Sequence, residues 1–318
     1  MYTLGLLWLA ATFFTTLARA AFTLTQNYQG QSFFDAWTFL SGVDGNSSSN
    51  VLYQTREQAL QKGLVSVNAA GHAIIKMDNI TDGTKNPTFG RSSVYILSNA
   101  TVSAGSLVIM DATAMPFGCS VWPAFWMQGQ VWPADGEIDI AENVNLETKN
   151  QYALHTAQGC MHPSAEQTNA TLETGTLIST DCFNETNYNQ GCLVGDPSPN
   201  SFGAGFKSTG GGAFATLWDD TGFKIWFFPR ASIPADLSSD SPNPSGWSTP
   251  TASFPTSACD TPNFFGPQSI IFNINVCGSY PESNFNPSCP GKCQDFVGVP
   301  SNYDNAYFEV SYLRVFTG

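Results

Sequence analysis

The run Gly136-Glu137-Ile138-Asp139-Ile140-Ala141-Glu142-Asn143 constrains this chain more than any other stretch. Glu137 and Asp139 alternate with Ile138 and Ile140, the period of a half-buried strand with acids on one face and isoleucines on the other. Strict alternation then fails. Parity sends Glu142 to the isoleucine face, where an ionised carboxylate is costly to bury. A β-bulge near Ile140 or Ala141 absorbs one residue and returns Glu142 to the acidic face, so the sequence predicts three carboxylates on one surface.

With one residue absorbed, Glu137 and Glu142 stand about four strand steps apart, roughly 13 Å between α-carbons at ~3.3 Å per residue. Two glutamate side chains leaning together close that gap to near the ~5 to 5.5 Å carboxyl separation of a retaining glycosidase, short of the ~6.5 to 9.5 Å of an inverting one. In that reading one Glu attacks an anomeric carbon and the other protonates the leaving oxygen. Asp139, between them, hydrogen-bonds the nucleophile and helps separate the two pKa values. The competing reading of the same spacing is an acidic, solvated strand edge.

Aromatic residues lead into the acids. Trp122, Ala124, Trp126 and Gln128 share one face of a predicted strand, and Trp132 sits in the turn before Glu137. Indoles stack on the apolar faces of sugar rings while polar neighbours bond the hydroxyls, although tryptophans also simply fill cores. Glu137-Ile-Asp-Ile-Ala-Glu142, preceded by Trp122-Pro-Ala-Phe-Trp126 and Trp132-Pro133, resembles the signature of glycoside hydrolase family 16 in the version that carries the extra bulge residue. The likeness extends from Ser32-Phe-Phe-Asp-Ala-Trp37 through Gly90-Arg-Ser-Ser-Val94 and Leu154-His-Thr156 to Cys277-Gly278 and the last strand. It is greatest for the secreted fungal laminarinases, which cut β-1,3 and mixed β-1,3/1,4 glucans.

The resemblance implies an all-β jelly-roll sandwich of the concanavalin A-like kind, with a sugar cleft on its concave face. Glu137 would be the nucleophile, Asp139 its assistant and Glu142 the acid/base. Trp126 and Trp132 would hold the sugars left on the enzyme, Tyr280 the leaving-group sugar, and His155, on the strand beside the acids, would bond Asp139 or Glu142. Two departures stand out. Tyr95 occupies a place where related enzymes commonly have arginine, and Cys277-Gly-Ser-Tyr280 stands where they often show Cys-Gly-Asp-Trp.

The remaining features fit a secreted protein. Leu4 to Phe14 is an apolar run too short to span a bilayer, and Ala18-Arg-Ala20 offers a small-residue cleavage site, so residues 1–20 read as a signal peptide and 21–318 as one catalytic domain. No Lys or Arg precedes the run. Sequons at Asn46, Asn79, Asn99, Asn169 and Asn184 would be glycosylation sites on that route. All eight cysteines (Cys119, Cys160, Cys182, Cys192, Cys259, Cys277, Cys289 and Cys293) follow the leader, an even count that suits disulfides. Their pairing is open, although Cys182 and Cys192 are placed to close a small loop. No Cys-x-x-Cys motif occurs, and Cys160 with His162 lacks a matching second pair, so no metal site and no cofactor is expected.

Charged residues make up 12 % of the chain, aromatics 13 %, with 28 Gly and 19 Pro, a balance of short strands and turns. The formal charge of −13 argues against nucleic acid, and no transmembrane span follows the leader. A monomer acting on a neutral β-glucan is expected.

Along the chain, Arg56 to Lys62 predicts a turn or two of helix, and Ser92–Leu97 and Ser106–Met110 predict strands. Residues 164–206 read as a long irregular loop, Gly210-Gly-Gly212 as a tight bend, and Asp219-Asp-Thr-Gly222 as a hairpin turn. Asn273 and Asn275 place two amides on one face of a predicted strand and need partners. His72 and His162 read as loop or surface residues. Cell-wall transglycosylation by the same acids is the nearest alternative function, and a non-catalytic glucan-binding lectin the next.

Overall fold

The computed structural model describes residues 22–318 except 165, 167–171 and 286–287. The leader expected over residues 1–20 and the sequon at Asn169 lie outside the described residues.

Two eight-stranded sheets dominate. The first, which carries the acids, runs in the order Thr176–Ser179, Cys192–Gly195, Gln151–His155, Glu137–Glu142, Val121–Gly129, Gln268–Val276, Tyr95–Val102 and Trp37–Leu40. Every neighbouring pair in it is antiparallel. In the second, Ala252–Pro255, Gly222–Pro229, Gly212–Asp219, Ser106–Ala114, Tyr307–Thr317, Ala73–Lys76 and Val65–Val67 follow one another, and Thr23–Tyr28 also pairs with Tyr307–Thr317. The expected all-β jelly-roll sandwich is the fold of this chain.

Period-2 patterning builds the core between the sheets. Phe125 and Met127 face Phe272 and Ile270 across one pair of strands, and Met110 faces Phe214 and Leu313 in the other sheet, all of them buried. Phe272 joins the two layers. Its ring stacks on Phe125 at 4.7 Å between centroids and meets Trp37 and Phe308 edge-on at 5.7 and 5.3 Å. The opposite faces of the second sheet's strands carry a smaller apolar cluster around Leu107, Ile109, Ala215 and Trp226. The turn-rich segment after Pro229 covers it. Leu237 is buried there, and Trp247 packs edge-on against Trp226 and Phe228 while its indole N–H donates to Asp236.

Several local expectations hold. Arg56–Gln61 is a helix closed by a capping box between Thr55 and Gln58. Gly210 and Gly211 take positive φ in the bend before Gly212–Asp219, and that strand pairs with Gly222–Pro229 through the Asp219-Gly222 hairpin. All eight cysteines are paired, Cys119 with Cys289, Cys160 with Cys259, Cys182 with Cys192, and Cys277 with Cys293.

Others are corrected. The stretch read as an irregular loop over 164–206 contributes Thr176–Ser179 and Cys192–Gly195, which extend the acid-bearing sheet. Their short runs were masked by the polar turn residues between them. The strand expected over 92–97 is cut at Val94, because Arg91–Ser93 belongs to a small third sheet and Tyr95–Val102 to the acid-bearing one. His162 lies in a loop as read, but it is buried there, edge-on to Phe254 and 3.4 Å from Glu173. His72 is half-buried, 3.0 Å from Glu309.

Because Phe272 touches both layers, Phe272→Ala is expected to cost about 3–5 kcal/mol of unfolding free energy, measured by urea denaturation. A loss below about 1 kcal/mol would mean that this contact is not central to the packing.

Candidate active site

The bulge lies at Ile140. Across to Val121–Gly129, Glu137 pairs with Gln128, Asp139 with Trp126, Ala141 with Phe125 and Glu142 with Ala124, so Ile140 has no counterpart. The three acids therefore stand opposite Gln128, Trp126 and Ala124, alternate residues on one face, while Ile138, Ile140 and Ala141 are buried in the core. On the other side the register also slips between Asp139 and Glu142. Asn150 meets the bulge there. Its Nδ2 donates to the Ile140 carbonyl at 2.8 Å, and its Oδ1 accepts from the Glu142 N–H at 2.9 Å.

Each acid has its own partner. The Trp132 indole N–H donates to Glu137 Oε2, and the Trp122 indole N–H donates to Glu142 Oε1 at 2.7 Å. Asp139 is only 2 % exposed. His155, directly across from Glu137, brings its Nε2 to 3.1 Å from Asp139 Oδ2. At that distance the Asp139 carboxylate and a protonated imidazole form a close ion pair, and the contact helps to hold the proton on His155. His155 Nδ1 lies 3.1 Å from Asn189 Oδ1.

Crowding sets the protonation. Burial, reinforced by the charge of Asp139, pushes both Glu137 and Glu142 up to about 8, against the pull of His155 and of the two indole donors. Burial alone would lower His155, but the charges of Glu137, Asp139 and Glu142 outweigh it and raise the imidazole to about 10. Around neutrality the cluster thus holds an imidazolium among acids that share their remaining protons. Among the described residues, Glu137, Asp139 and His155 form the group that could hold a metal ion, with ligand atoms within 4.8 Å of one another. A metal would have to displace the imidazole proton, which this environment retains strongly.

Glycines shape both ends. Gly136, at φ +76°, precedes Glu137, and a β-carbon there would lie 2.2 Å from the Phe265 ring. Gly278, at φ +92°, leaves room for the Ser47 carbonyl, which a β-carbon would approach to 2.5 Å. The chain then turns into Ser279–Ser283 and brings Tyr280 edge-on to Trp122 at 5.7 Å, with its hydroxyl 3.2 Å from Asn143 Oδ1. Burial and the Glu142 charge raise the Tyr280 phenol, keeping it neutral.

All seven residues named from the sequence come to this face. Glu137 meets Trp132, which is 40 % exposed, and Glu142 meets Trp122 and, beyond it, Tyr280. Trp126 donates its indole N–H to Asn273 Oδ1 at 2.7 Å and packs edge-on against Tyr95 at 6.2 Å. Asn273 Nδ2 in turn donates to Asn275 Oδ1, which also accepts from the Tyr53 hydroxyl, and Asn275 Nδ2 donates to Ser47 Oγ. The two amides thus have the partners they needed. Tyr95 stands close enough to Glu137 for that charge, after burial, to raise its phenol. Sequence reasoning missed Tyr53, Asn150 and Asn189, which lie in loops or short strands without a local pattern. For Asn150 the bulge itself was the available signal, since its main-chain groups need a partner.

This geometry can be set beside known proteins. The sequence profile of the XgeA-like, catalytic GH16 domain matches residues 37–316. The chain belongs to glycoside hydrolase family 16 and is a glycosidase of the endo-1,3(4)-β-glucanase-like kind. It is 38 % identical over 300 residues to a probable glycosidase of Schizosaccharomyces pombe, spanning 93 % of this chain and 69 % of that protein. An endo-1,3(4)-β-glucanase of Arthroderma benhamiae is 36 % identical over 328 residues, 99 % of this chain and 69 % of its own. Among solved structures, laminarinase 16A of Phanerochaete chrysosporium, with 6-O-glucosyl-laminaritriose in donor and acceptor sites, superposes at a TM-score of 0.87. It shares 34 % identity over 94 % of this chain and all of its own. An elongating family 16 β-1,3-glucosyltransferase gives a TM-score of 0.85 at 36 % identity, covering 93 % of this chain and all of its own.

The raised glutamates have a consequence for stability. Each binds its proton more tightly in the folded chain than at the ordinary value of 4.5. The stability they contribute is therefore full below about pH 4.5 and is lost as the pH rises through about 8. Glu137→Gln and Glu142→Gln are each expected to be more stable than the parent protein, by a margin that widens across that window. Thermal unfolding at a series of pH values measures it, and a margin that is flat or shrinks with pH contradicts the crowding described.

Proposed function

We propose that this protein is a secreted retaining endo-β-glucanase that hydrolyses β-1,3 and mixed β-1,3/1,4 glucans. The observation that carries the reading is the bulge at Ile140, which puts Glu137, Asp139 and Glu142 on one face opposite Gln128, Trp126 and Ala124. Glu137 attacks the anomeric carbon and forms a glucosyl-enzyme, while Glu142 gives its proton to the departing glycosidic oxygen. Glu142 then takes a proton from the water that releases the sugar. Asp139, paired with His155, holds negative charge beside Glu137 and tunes its ionisation.

Trp126 and Trp132 support the sugars on the Glu137 side, and Trp122 with Tyr280 the leaving sugar on the Glu142 side. No cofactor enters this chemistry. Residues 21–318 act as one catalytic domain, working as a monomer. The substrate class is supported by the names of the Arthroderma and Phanerochaete relatives. Secretion is supported by the four disulfides and by the exposed sequons at Asn46 and Asn99.

Transglycosylation is the second reading, favoured by the likeness to the elongating glucosyltransferase. It uses the same glucosyl-enzyme and differs only in whether water or a sugar hydroxyl accepts the glucosyl unit.

Incubation with laminarin, lichenan, carboxymethylcellulose and chitin separates the readings. Short oligosaccharides and new reducing ends from laminarin or lichenan alone are expected. Products longer than the starting chains would favour transfer, and no products at all would leave only sugar binding. Glu137→Gln and Glu142→Gln should each lower kcat/KM on laminarin by at least about 10²-fold while the fold is kept. Since the coupled pair is raised to about 8 and gives up its protons in two steps, kcat/KM should rise as the first proton leaves and the nucleophile ionises, and fall as the second leaves and the acid is lost. A rate that stays constant from pH 7 to 9 contradicts the assignment of Glu142.

A further inference from the structure

The bulge that returns Glu142 to the acidic face leaves main-chain groups out of the regular ladder, and one side chain meets two of them. Asn150 Nδ2 donates to the Ile140 carbonyl at 2.8 Å, and Asn150 Oδ1 accepts from the Glu142 N–H at 2.9 Å. Asn150 is itself wholly buried and fixed at both main-chain ends. Its N–H donates to Ser201 Oγ at 2.8 Å, and its carbonyl accepts from the Asp196 N–H at 2.9 Å. The Ser201 hydroxyl is oriented in turn by donating to the Ser198 carbonyl at 2.8 Å.

A primary amide presents a donor and an acceptor side by side, as a neighbouring strand would. Alanine offers neither. An ionised aspartate at this place would keep the acceptor for Glu142 but set a second acceptor against the Ile140 carbonyl. Without the clamp, the bulged residue is free to shift, and a one-residue change of parity carries Glu142 away from Trp122 and the acidic face.

We propose that Asn150 is a positioning residue for acid/base catalysis: it locks the bulge so that the Glu142 carboxyl is held where the glycosidic oxygen leaves. This rests on Glu142 being the acid/base. Glu137 lies on the other side of the bulge, in register with Gln128 and His155, and its placement does not depend on the clamp.

The test compares kcat/KM on laminarin with kcat/KM on 2,4-dinitrophenyl β-laminaribioside, whose leaving group departs without a proton. The wild type, Glu142→Gln, Asn150→Ala and Asn150→Asp are measured together, with circular dichroism to establish folding. Asn150→Ala should lose about 10²-fold on laminarin and keep most of its rate on the aryl glycoside, the pattern of a misplaced general acid. Asn150→Asp should show the same split, growing as the pH rises and the new carboxyl ionises against the Ile140 carbonyl. It decides the matter if Asn150→Ala does not fold.

Equal losses on both substrates, or no loss on either, overturn the proposal when Glu142→Gln itself shows the split. If Glu142→Gln shows no split, the assignment of the acid/base fails, and the role of Asn150 fails with it.

Discussion

One extra residue in one strand organises this molecule's chemistry. A regular strand over residues 137–142 would send Glu142 into the sandwich among Phe125, Met127 and Phe272, where an unpaired carboxylate costs several kcal/mol or stays protonated, roughly. The bulge at Ile140 avoids that, because Ile140 and Ala141 together take the inward side and Glu142 turns out toward Trp122. The sandwich supplies the rigid frame. Packed strands on both sides of Glu137–Glu142 fix the direction of each acid to within the freedom of its own side chain.

The second constraint is electrostatic and follows from the first. Three carboxylates on one short, half-buried face cannot all ionise cheaply, so the glutamates keep protons at a pH where ordinary carboxyls have lost theirs. His155 supplies the compensating positive charge, held by Asp139 on one side and Asn189 on the other. The indoles of Trp122 and Trp132 each donate to one glutamate, and so distinguish the two ends of the acidic face that the acids alone leave nearly symmetric. The proposed double displacement needs one carboxylate and one carboxylic acid at once, which two coupled glutamates that give up their protons in turn can supply.

Much of this was legible in the residues. The break in alternation at Ile140 announced the bulge, because a charged side chain at a core parity is physically inconsistent with a straight strand. The balance of short strands and turns announced a β-rich chain, the family resemblance implied the sandwich, and an even cysteine count suited the disulfides that form. What was hidden depends on contacts distant in sequence. Nothing local distinguishes Asn150 or Asn189 from any polar loop residue, and the amide chain from Trp126 through Asn273 and Asn275 to Tyr53 and Ser47 joins four separate segments. The short strands Thr176–Ser179 and Cys192–Gly195 draw their order from the sheet they complete rather than from their own composition. His162 shows the converse, a polar residue buried because Glu173 and Phe254 close over it.

The central claim is that Glu137 becomes covalently joined to sugar while Glu142 moves the proton. Incubating the protein with a 2-deoxy-2-fluoro laminari-oligosaccharide bearing an activated leaving group should trap that intermediate, which peptide mass spectrometry then locates. The account predicts a single glycosyl adduct on Glu137. An adduct on Glu142, or hydrolysis with inverted anomeric configuration and no adduct, would contradict it.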